Sequence, residues 1–180
     1  MRKEIRIAGF GGQGVVLAGY VLGKAFALYE GLEAVMTQAY GPEARGGASS
    51  SNVVISDEPI DYPFVLMPDV LIALSQEAYT RFRPTLRPGG LLIIEQDIVK
   101  PGPGEENLAS VPATRLAEEL GRRIVANIVT LGFFTAVTNW LARESVEKAI
   151  ESTLPAHIVP LNLNAFARGY KYAMVGERVP

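Results

Sequence analysis

The chain has 180 residues, 48% of them apolar and 20% charged, which suits one well-buried core and excludes a disordered chain. A formal net charge of −2 gives no support to nucleic-acid binding, where a clustered positive surface would be expected to supply most of the affinity. The absence of cysteine excludes disulfides, thiolate metal sites, cysteine-ligated iron–sulfur clusters and cysteine nucleophiles, and a single histidine excludes a histidine-rich metal site within one chain.

In chain order, Glu4 to Phe10 reads as a first strand, with no signal-peptide core before it. Val15 to Tyr29 has apolar or small residues at helical spacing, and Gly31 ends that helix. Glu33 to Gln38 reads as a second strand, Ala39 to Ser49 as a loop and Val53 to Ile55 as a third strand, closed by the turn Ser56-Asp57-Glu58-Pro59. Val70 to Leu74 and Leu91 to Ile94 are unbroken apolar runs, as parallel strands buried on both faces should be. A short helix, Glu77 to Phe82, and the turn Pro88-Gly89-Gly90 separate them.

Lys100 to Gly104 continues neither kind of element and reads as a surface loop or hinge, after which the alternation resumes near Ser110. The last third reads as helical: Thr114 to Leu120, Ile124 to Leu141, Glu144 to Ser152 and Leu163 to Val175. The helix from Ile124 is apolar around most of its circumference, which fits either a central core helix or a surface covered by a partner. Its polar interruptions, Asn127 and Thr130 among them, make it a poor membrane span. Strands alternating with helices predict an α/β, Rossmann-like, doubly wound and mainly parallel sheet, with helices on both faces and a helical C-terminal third, in a single domain over residues 1–180.

Gly9, Gly11 and Gly14 fit G-x-G-x-x-G between a strand and a helix. Glycines there let the backbone turn tightly and approach a ligand, and the positive end of the following helix favours a phosphate or carboxylate. The dinucleotide version needs an acid at the end of the second strand, and Gln38-Ala39-Tyr40 has none. A P-loop needs a Gly-Lys-Ser or Gly-Lys-Thr ending, which is also missing. Gly12 is a further glycine, and the Gln13 amide can donate to or accept from a ligand or neighbouring chain. A turn that only lets strand and helix pack closely remains the plainer alternative.

Tyr40-Gly41-Pro42-Glu43-Ala44-Arg45-Gly46-Gly47 follows the second strand, at the edge where α/β sheets place their ligands. Glu43 and Arg45 could equally be a solvated surface pair. Together, Gly-Phe-Gly-Gly-Gln-Gly at 9–14 and Tyr-Gly-Pro-Glu-Ala-Arg-Gly-Gly at 40–47 resemble the gamma subunit, or gamma-type domain, of 2-oxoacid:ferredoxin oxidoreductases. Ser56-Asp57-Glu58-Pro59-Ile60 and Asn127 with Leu131-Gly132 agree with that family, and the resemblance runs from about Ile5 to the C-terminal helix.

The resemblance implies a subunit of an enzyme that oxidatively decarboxylates a 2-oxoacid to an acyl-CoA and reduces ferredoxin. It implies alpha and beta thiamine-binding subunits and a ferredoxin-like subunit as partners. Thiamine diphosphate, magnesium and iron–sulfur clusters are then expected in those partners, with no cofactor held by this chain alone, no metal ligands and no catalytic residue. The chain lacks both cysteine and the Gly-Asp-Gly with Asn-Asn signature of thiamine enzymes, in keeping with this. Gly9, Gly11, Gly12, Gln13 and Gly14, with Tyr40, Gly41, Pro42, Glu43, Arg45, Gly46 and Gly47, are expected to face the catalytic subunits and border a shared coenzyme A site. Arg45 is expected to meet a phosphate or a partner carboxylate. The resemblance favours 2-oxoglutarate as substrate and a cytoplasmic setting. Within the family the alternative is the smaller subunit of indolepyruvate:ferredoxin oxidoreductase, and outside it a stand-alone nucleotide-binding protein. His157 and Trp140 are assigned structural roles.

Overall fold

A computed structural model describes residues 1–39 and 48–175. Its strands are β1 (Arg2–Phe10), β2 (Glu33–Ala39), β3 (Ala48–Ser56), β4 (Val70–Ala73), β5 (Leu91–Glu95) and β6 (Leu108–Val111). Its helices are α1 (Val15–Lys24), α2 (Gln76–Phe82), α3 (Ala113–Glu119), α4 (Ala126–Thr138), α5 (Arg143–Thr153) and α6 (Val159–Val175). The strands form one sheet in the order β2-β3-β1-β4-β5-β6. Pairings β1–β4, β4–β5 and β5–β6 are parallel, whereas β3 runs antiparallel to both β1 and β2. The expected mainly parallel sheet is present, with β3 inserted against the grain.

β3 is also longer than the Val53–Ile55 run suggests. It extends back through Ser49, Ser50, Ser51 and Asn52, all buried. Two of these polar side chains are engaged by neighbours, Arg6 Nε donating to Asn52 Oδ1 at 2.8 Å and Ser49 Oγ donating to the Gly9 carbonyl at 3.3 Å, whereas the Ser51 hydroxyl has no hydrogen-bond partner among the described residues. Likewise β6 joins the sheet directly beyond the Lys100–Gly104 loop, pairing Leu92 with Leu108, so that loop sits within the sheet's own connectivity.

The two faces differ in cover. Ile5, Ile7, Val53, Val70, Ile72 and Ile93 point to one side and form the main core with side chains of α1, α3, α4, α5 and α6. Leu71, Ala73, Leu92 and Ile94 point to the other and pack on Leu86, Val99, Tyr79 and Phe82, the last two from α2. This alternation of adjacent residues between faces is the period of two that a strand imposes.

The helix expected over Val15–Tyr29 changes character near its end. From Ala25 to Tyr29 the hydrogen bonds lengthen to a π-type turn, with Glu30 N donating to Ala25 O at 3.2 Å. Residues 127–135 of α4 are all buried, so the core-helix alternative is the one observed for that stretch. It stops at Thr138 rather than Leu141 because Asn139 takes a left-handed conformation, φ 51°, and Asn is one of the few non-glycine residues that does so readily. α4 and α6 cross so closely that a β-carbon on Gly132 would lie 2.9 Å from the Phe166 carbonyl carbon, and one on Gly169 would lie 2.7 Å from that of Val129. α6 starts earlier than the expected Leu163, with Pro160 in its first turn, where a missing N–H costs nothing. Among the described residues, no helix is long and apolar enough to cross a membrane.

Candidate functional site

β1 is central to the sheet, and its carboxyl end feeds the glycine loop directly into α1. The register places Phe10 opposite Ala48 and Ala39 opposite Ser50. The two residues that flank the 40–47 segment therefore stand at the same edge as the glycine loop. Tyr40, Gly41, Pro42, Glu43, Arg45, Gly46 and Gly47 themselves lie outside the described residues.

The loop is held from within by Gln13. Its Oε1 accepts from Phe10 N at 2.7 Å and its Nε2 donates to the Leu74 carbonyl at 2.9 Å, while Gln13 N donates to Phe10 O at 3.2 Å. The side chain thus clasps the end of β1 to the end of β4. The expectation that this amide can donate to or accept from a ligand or another chain is narrowed, since each of its ends already serves a partner within the chain.

The glycines divide by what surrounds them. A β-carbon on Gly9 would meet Gln13 Oε1 at 2.5 Å and Leu74 Cβ at 3.1 Å. Gly14 has φ 71°, and a β-carbon there would lie 2.8 Å from Asn127 Cγ. Gly9 and Gly14 therefore serve packing. Gly11 and Gly12, by contrast, are exposed and have nothing within 4 Å of the β-carbon position. Gly12 is left-handed, φ 91°, and Gly11 is not among the positive-φ residues. Among the described residues the Gly11 and Gly12 amides donate to no protein acceptor, and the first-turn amides of α1 lack intrahelical partners by construction. Open backbone N–H groups at a helix start suit an anion.

Asn127 on α4 latches the loop from the far side. Its Nδ2 donates to the Gly14 carbonyl at 3.1 Å and its Oδ1 accepts from Ile128 N at 2.9 Å. Two clefts flank the loop. One, of about 410 Å³, runs from Phe10, Gly11 and Gly12 along Leu17 to Ile124, Leu154 and Ile158 and is mainly apolar. The other, of about 290 Å³, lies between Gly12, Gln13, Leu74, Glu95, Thr114 and Arg123. Arg123, which is exposed, is the one cation lining either cleft among the described residues.

Glu95 ends β5 and is 1% exposed. Burial raises its pKa, against the Asp97 N–H at 3.4 Å and Thr114, which favour the carboxylate. Its Oε2 finds no well-aligned donor among the described residues. Sequence reasoning passed over Glu95, Arg123 and Ser49. An acid closing an otherwise apolar buried strand was the available signal for the first, and nothing local marks the other two.

Among the described residues no group of three His, Asp or Glu could hold a metal ion. His157 is exposed, and Trp140 packs edge-on against Phe134 at 6.0 Å with Lys3 Nζ 5.2 Å from its ring centroid. Neither lines a cleft beside the glycine loop.

Residues 4–172 match the family model described as pyruvate ferredoxin/flavodoxin oxidoreductase. The chain is 52% identical to the 2-oxoglutarate synthase subunit KorC of Methanocaldococcus jannaschii, over 96% of this chain and 95% of that one. It is 38% identical to the ketoisovalerate oxidoreductase subunit VorA of Methanothermobacter thermautotrophicus, over 94% of this chain but only 36% of VorA. Among solved structures, the gamma subunit of keto/oxoacid ferredoxin oxidoreductase from Geobacter sulfurreducens superposes with a TM-score of 0.89 at 42% identity, covering 97% of this chain and 98% of that one.

Proposed function

The chain belongs to the pyruvate ferredoxin/flavodoxin oxidoreductase family, as a gamma-type subunit of a 2-oxoacid:ferredoxin oxidoreductase, and we propose that the 2-oxoacid is 2-oxoglutarate. The observation that carries this is the match to KorC, which runs almost from end to end of both chains. The complex decarboxylates the oxoacid, passes the electrons to ferredoxin and transfers the acyl group to coenzyme A. This chain works as one gamma-type domain, in the cytoplasm, with alpha and beta thiamine-binding subunits and a ferredoxin-like subunit beside it. Thiamine diphosphate, magnesium and the clusters belong to those subunits.

The chain's own contribution is to border the entrance for coenzyme A. The exposed Gly11 and Gly12 backbone, left bare at the start of α1, fits a diphosphate, because a β-carbon at either position would occupy the approach. Gly9, Gln13 and Gly14 hold that surface in shape. From the 40–47 segment, Arg45 is the residue proposed to offer a planar, permanently charged fork to a phosphate or a partner carboxylate, with Tyr40, Gly41, Pro42, Glu43, Gly46 and Gly47 bordering the same shared site. Coenzyme A supplies the thiol that accepts the acyl group when bound. The chain positions the carrier and leaves the chemistry to its partners.

Co-expression with the alpha, beta and ferredoxin-like subunits tests this reading. The complex should reduce ferredoxin when given 2-oxoglutarate and coenzyme A together, and Arg45→Ala should raise the KM for coenzyme A or lower assembly. A complex that turns over pyruvate or an aryl pyruvate in place of 2-oxoglutarate refutes the substrate. Tight stoichiometric NAD binding by the isolated chain refutes the subunit role.

A further inference from the structure

From Asp57 to Asp69 the chain crosses from β3 to β4 without helix or strand. Connections of that length without regular structure are uncommon in compact domains and are usually functional. This one is tied down along its length by Met1 and β1. Asp57 N donates to Met1 O at 3.2 Å, Arg2 Nη2 to Tyr62 O at 2.9 Å, Arg6 Nη2 to Val65 O at 2.6 Å and Asp69 N to Glu4 O at 2.7 Å.

Arg6 is the central tie. It is 8% exposed, gives Nε to Asn52 and Nη1 to Thr85 Oγ1 at 2.8 Å each, and its guanidinium carbon lies 5.1 Å from the Phe82 ring centroid. A buried arginine is costly unless its donors are engaged, and this one engages them to fix a loop carbonyl. Val65 is turned inward, 5% exposed, while Tyr62 at 50%, Phe64 at 55%, Leu66 at 65% and Met67 at 51% face outward. The Tyr62 and Phe64 rings meet edge to face at 5.5 Å. Aromatic side chains carry roughly 150–250 Å² each, so with Leu66 and Met67 the outward surface is on the order of 300–500 Å². A patch of roughly that size is as large as the largest on a typical monomer, and such patches are often functional.

We infer that this strap is the surface by which the chain docks on a larger subunit of its own oxidoreductase, through an apolar face on that subunit with basic side chains at its margin. The inference rests on the subunit reading above. VorA, in which this module accounts for 36% of the length, shows a family member in which the module is joined permanently to a larger body, and permanent interfaces are the apolar ones. The margin of the strap carries Glu58 and Asp61, both exposed. Arg2 at the same margin is already engaged by Glu4 and the Tyr62 carbonyl, so the margin charge left over among the described residues is acidic. Two copies would each bring that negative charge to a two-fold contact, whereas a basic margin on a different subunit complements it. Because the loop is held before contact, little ordering entropy is lost on docking.

Hydroxyl-radical footprinting of the wild-type chain, alone and in the co-expressed complex, reads the surface directly. Oxidation of Tyr62, Phe64 and Met67 should fall at least tenfold on assembly, and unchanged oxidation in an intact complex overturns the inference. The double variant Phe64→Asp with Leu66→Asp, checked by circular dichroism and thermal melting to be folded, should enter the complex at least tenfold less well by native mass spectrometry. Incorporation equal to wild type overturns the inference while leaving the subunit role intact. Loss of a wild-type homodimer with incorporation unchanged assigns the patch to a second copy and overturns it too. Failure of the wild-type chain to enter any such complex is a different result, and it overturns the subunit role on which the inference stands.

Discussion

Gly11→Ala separates packing from contact at the glycine loop. Nothing lies within 4 Å of a β-carbon there, and the residue is outside the left-handed region. In the isolated chain the substitution should therefore act mainly on the unfolded ensemble and stabilise by roughly 0.4–1 kcal/mol. For a chain of this size that raises Tm by about 1–4 °C. In the complex the same methyl group stands on the open surface proposed for the coenzyme A diphosphate. Losing one charge-assisted hydrogen bond costs about 1.5–3 kcal/mol, and about 1.4 kcal/mol is tenfold in affinity, so the KM for coenzyme A should rise roughly 10- to 100-fold. Urea unfolding of the chain and steady-state ferredoxin reduction against coenzyme A concentration measure the two halves. A variant that is more stable but has unaltered KM, kcat and assembly reduces the loop to a packing turn. Lost assembly with unchanged KM moves the contact from coenzyme A to a partner subunit. Gly12 is less clean for this purpose, since its φ of 91° makes any side chain strained in the isolated chain as well.

Three further substitutions probe the surroundings. Gln13→Leu removes the acceptor for Phe10 N and the donor to Leu74 O and should cost about 1–3 kcal/mol in urea unfolding; an unchanged midpoint denies the clasp. Gly132→Ala forces a methyl group against the Phe166 carbonyl and should destabilise by about 1–3 kcal/mol despite the better helix propensity of alanine; a gain in Tm would mean the α4–α6 crossing relaxes freely. Glu95→Gln tests the buried acid: because its folded pKa is raised above the unfolded value, its stability contribution is fully present below the unfolded pKa and is lost as pH rises through the folded pKa. The variant should match wild type near pH 4, within the ordinary glutamate range, and exceed it at pH 8. A deficit at pH 8 would refute that sign.

The order of elements from β1 through α1, and the buried strands β4 and β5, were legible because glycine punctuation and unbroken apolar runs have one ready structural meaning. The direction and length of β3 were not. Ser49 to Asn52 carry no apolar alternation, and they are strand because their backbone is laddered between β1 and β2, with Arg6 and the Gly9 carbonyl engaging Asn52 and Ser49. At the candidate site, the register of Phe10 with Ala48 and of Ala39 with Ser50 sets the glycine loop and the two residues that flank the 40–47 segment at one edge of the sheet. The internal use of Gln13 and the latch at Asn127 depend on residues distant in sequence, so no local pattern contained them, whereas the buried state of Glu95 had a local sign in the apolar strand it closes. Arg6 shows the same limit: within a strand it reads as a solvent-facing charge, and its burial follows from the loop that folds over it.

The Gln13 clasp also has a kinetic meaning. A loop tied at both ends of one amide, to Phe10 and to Leu74, does not have to search for its bound shape. Coenzyme A bound at Gly11 and Gly12, as proposed above, would then meet a surface already in shape, with little ordering left to be done there. On that proposal, swapping partner subunits between related complexes should change the rate of coenzyme A capture while the Gln13 clasp stays as it is.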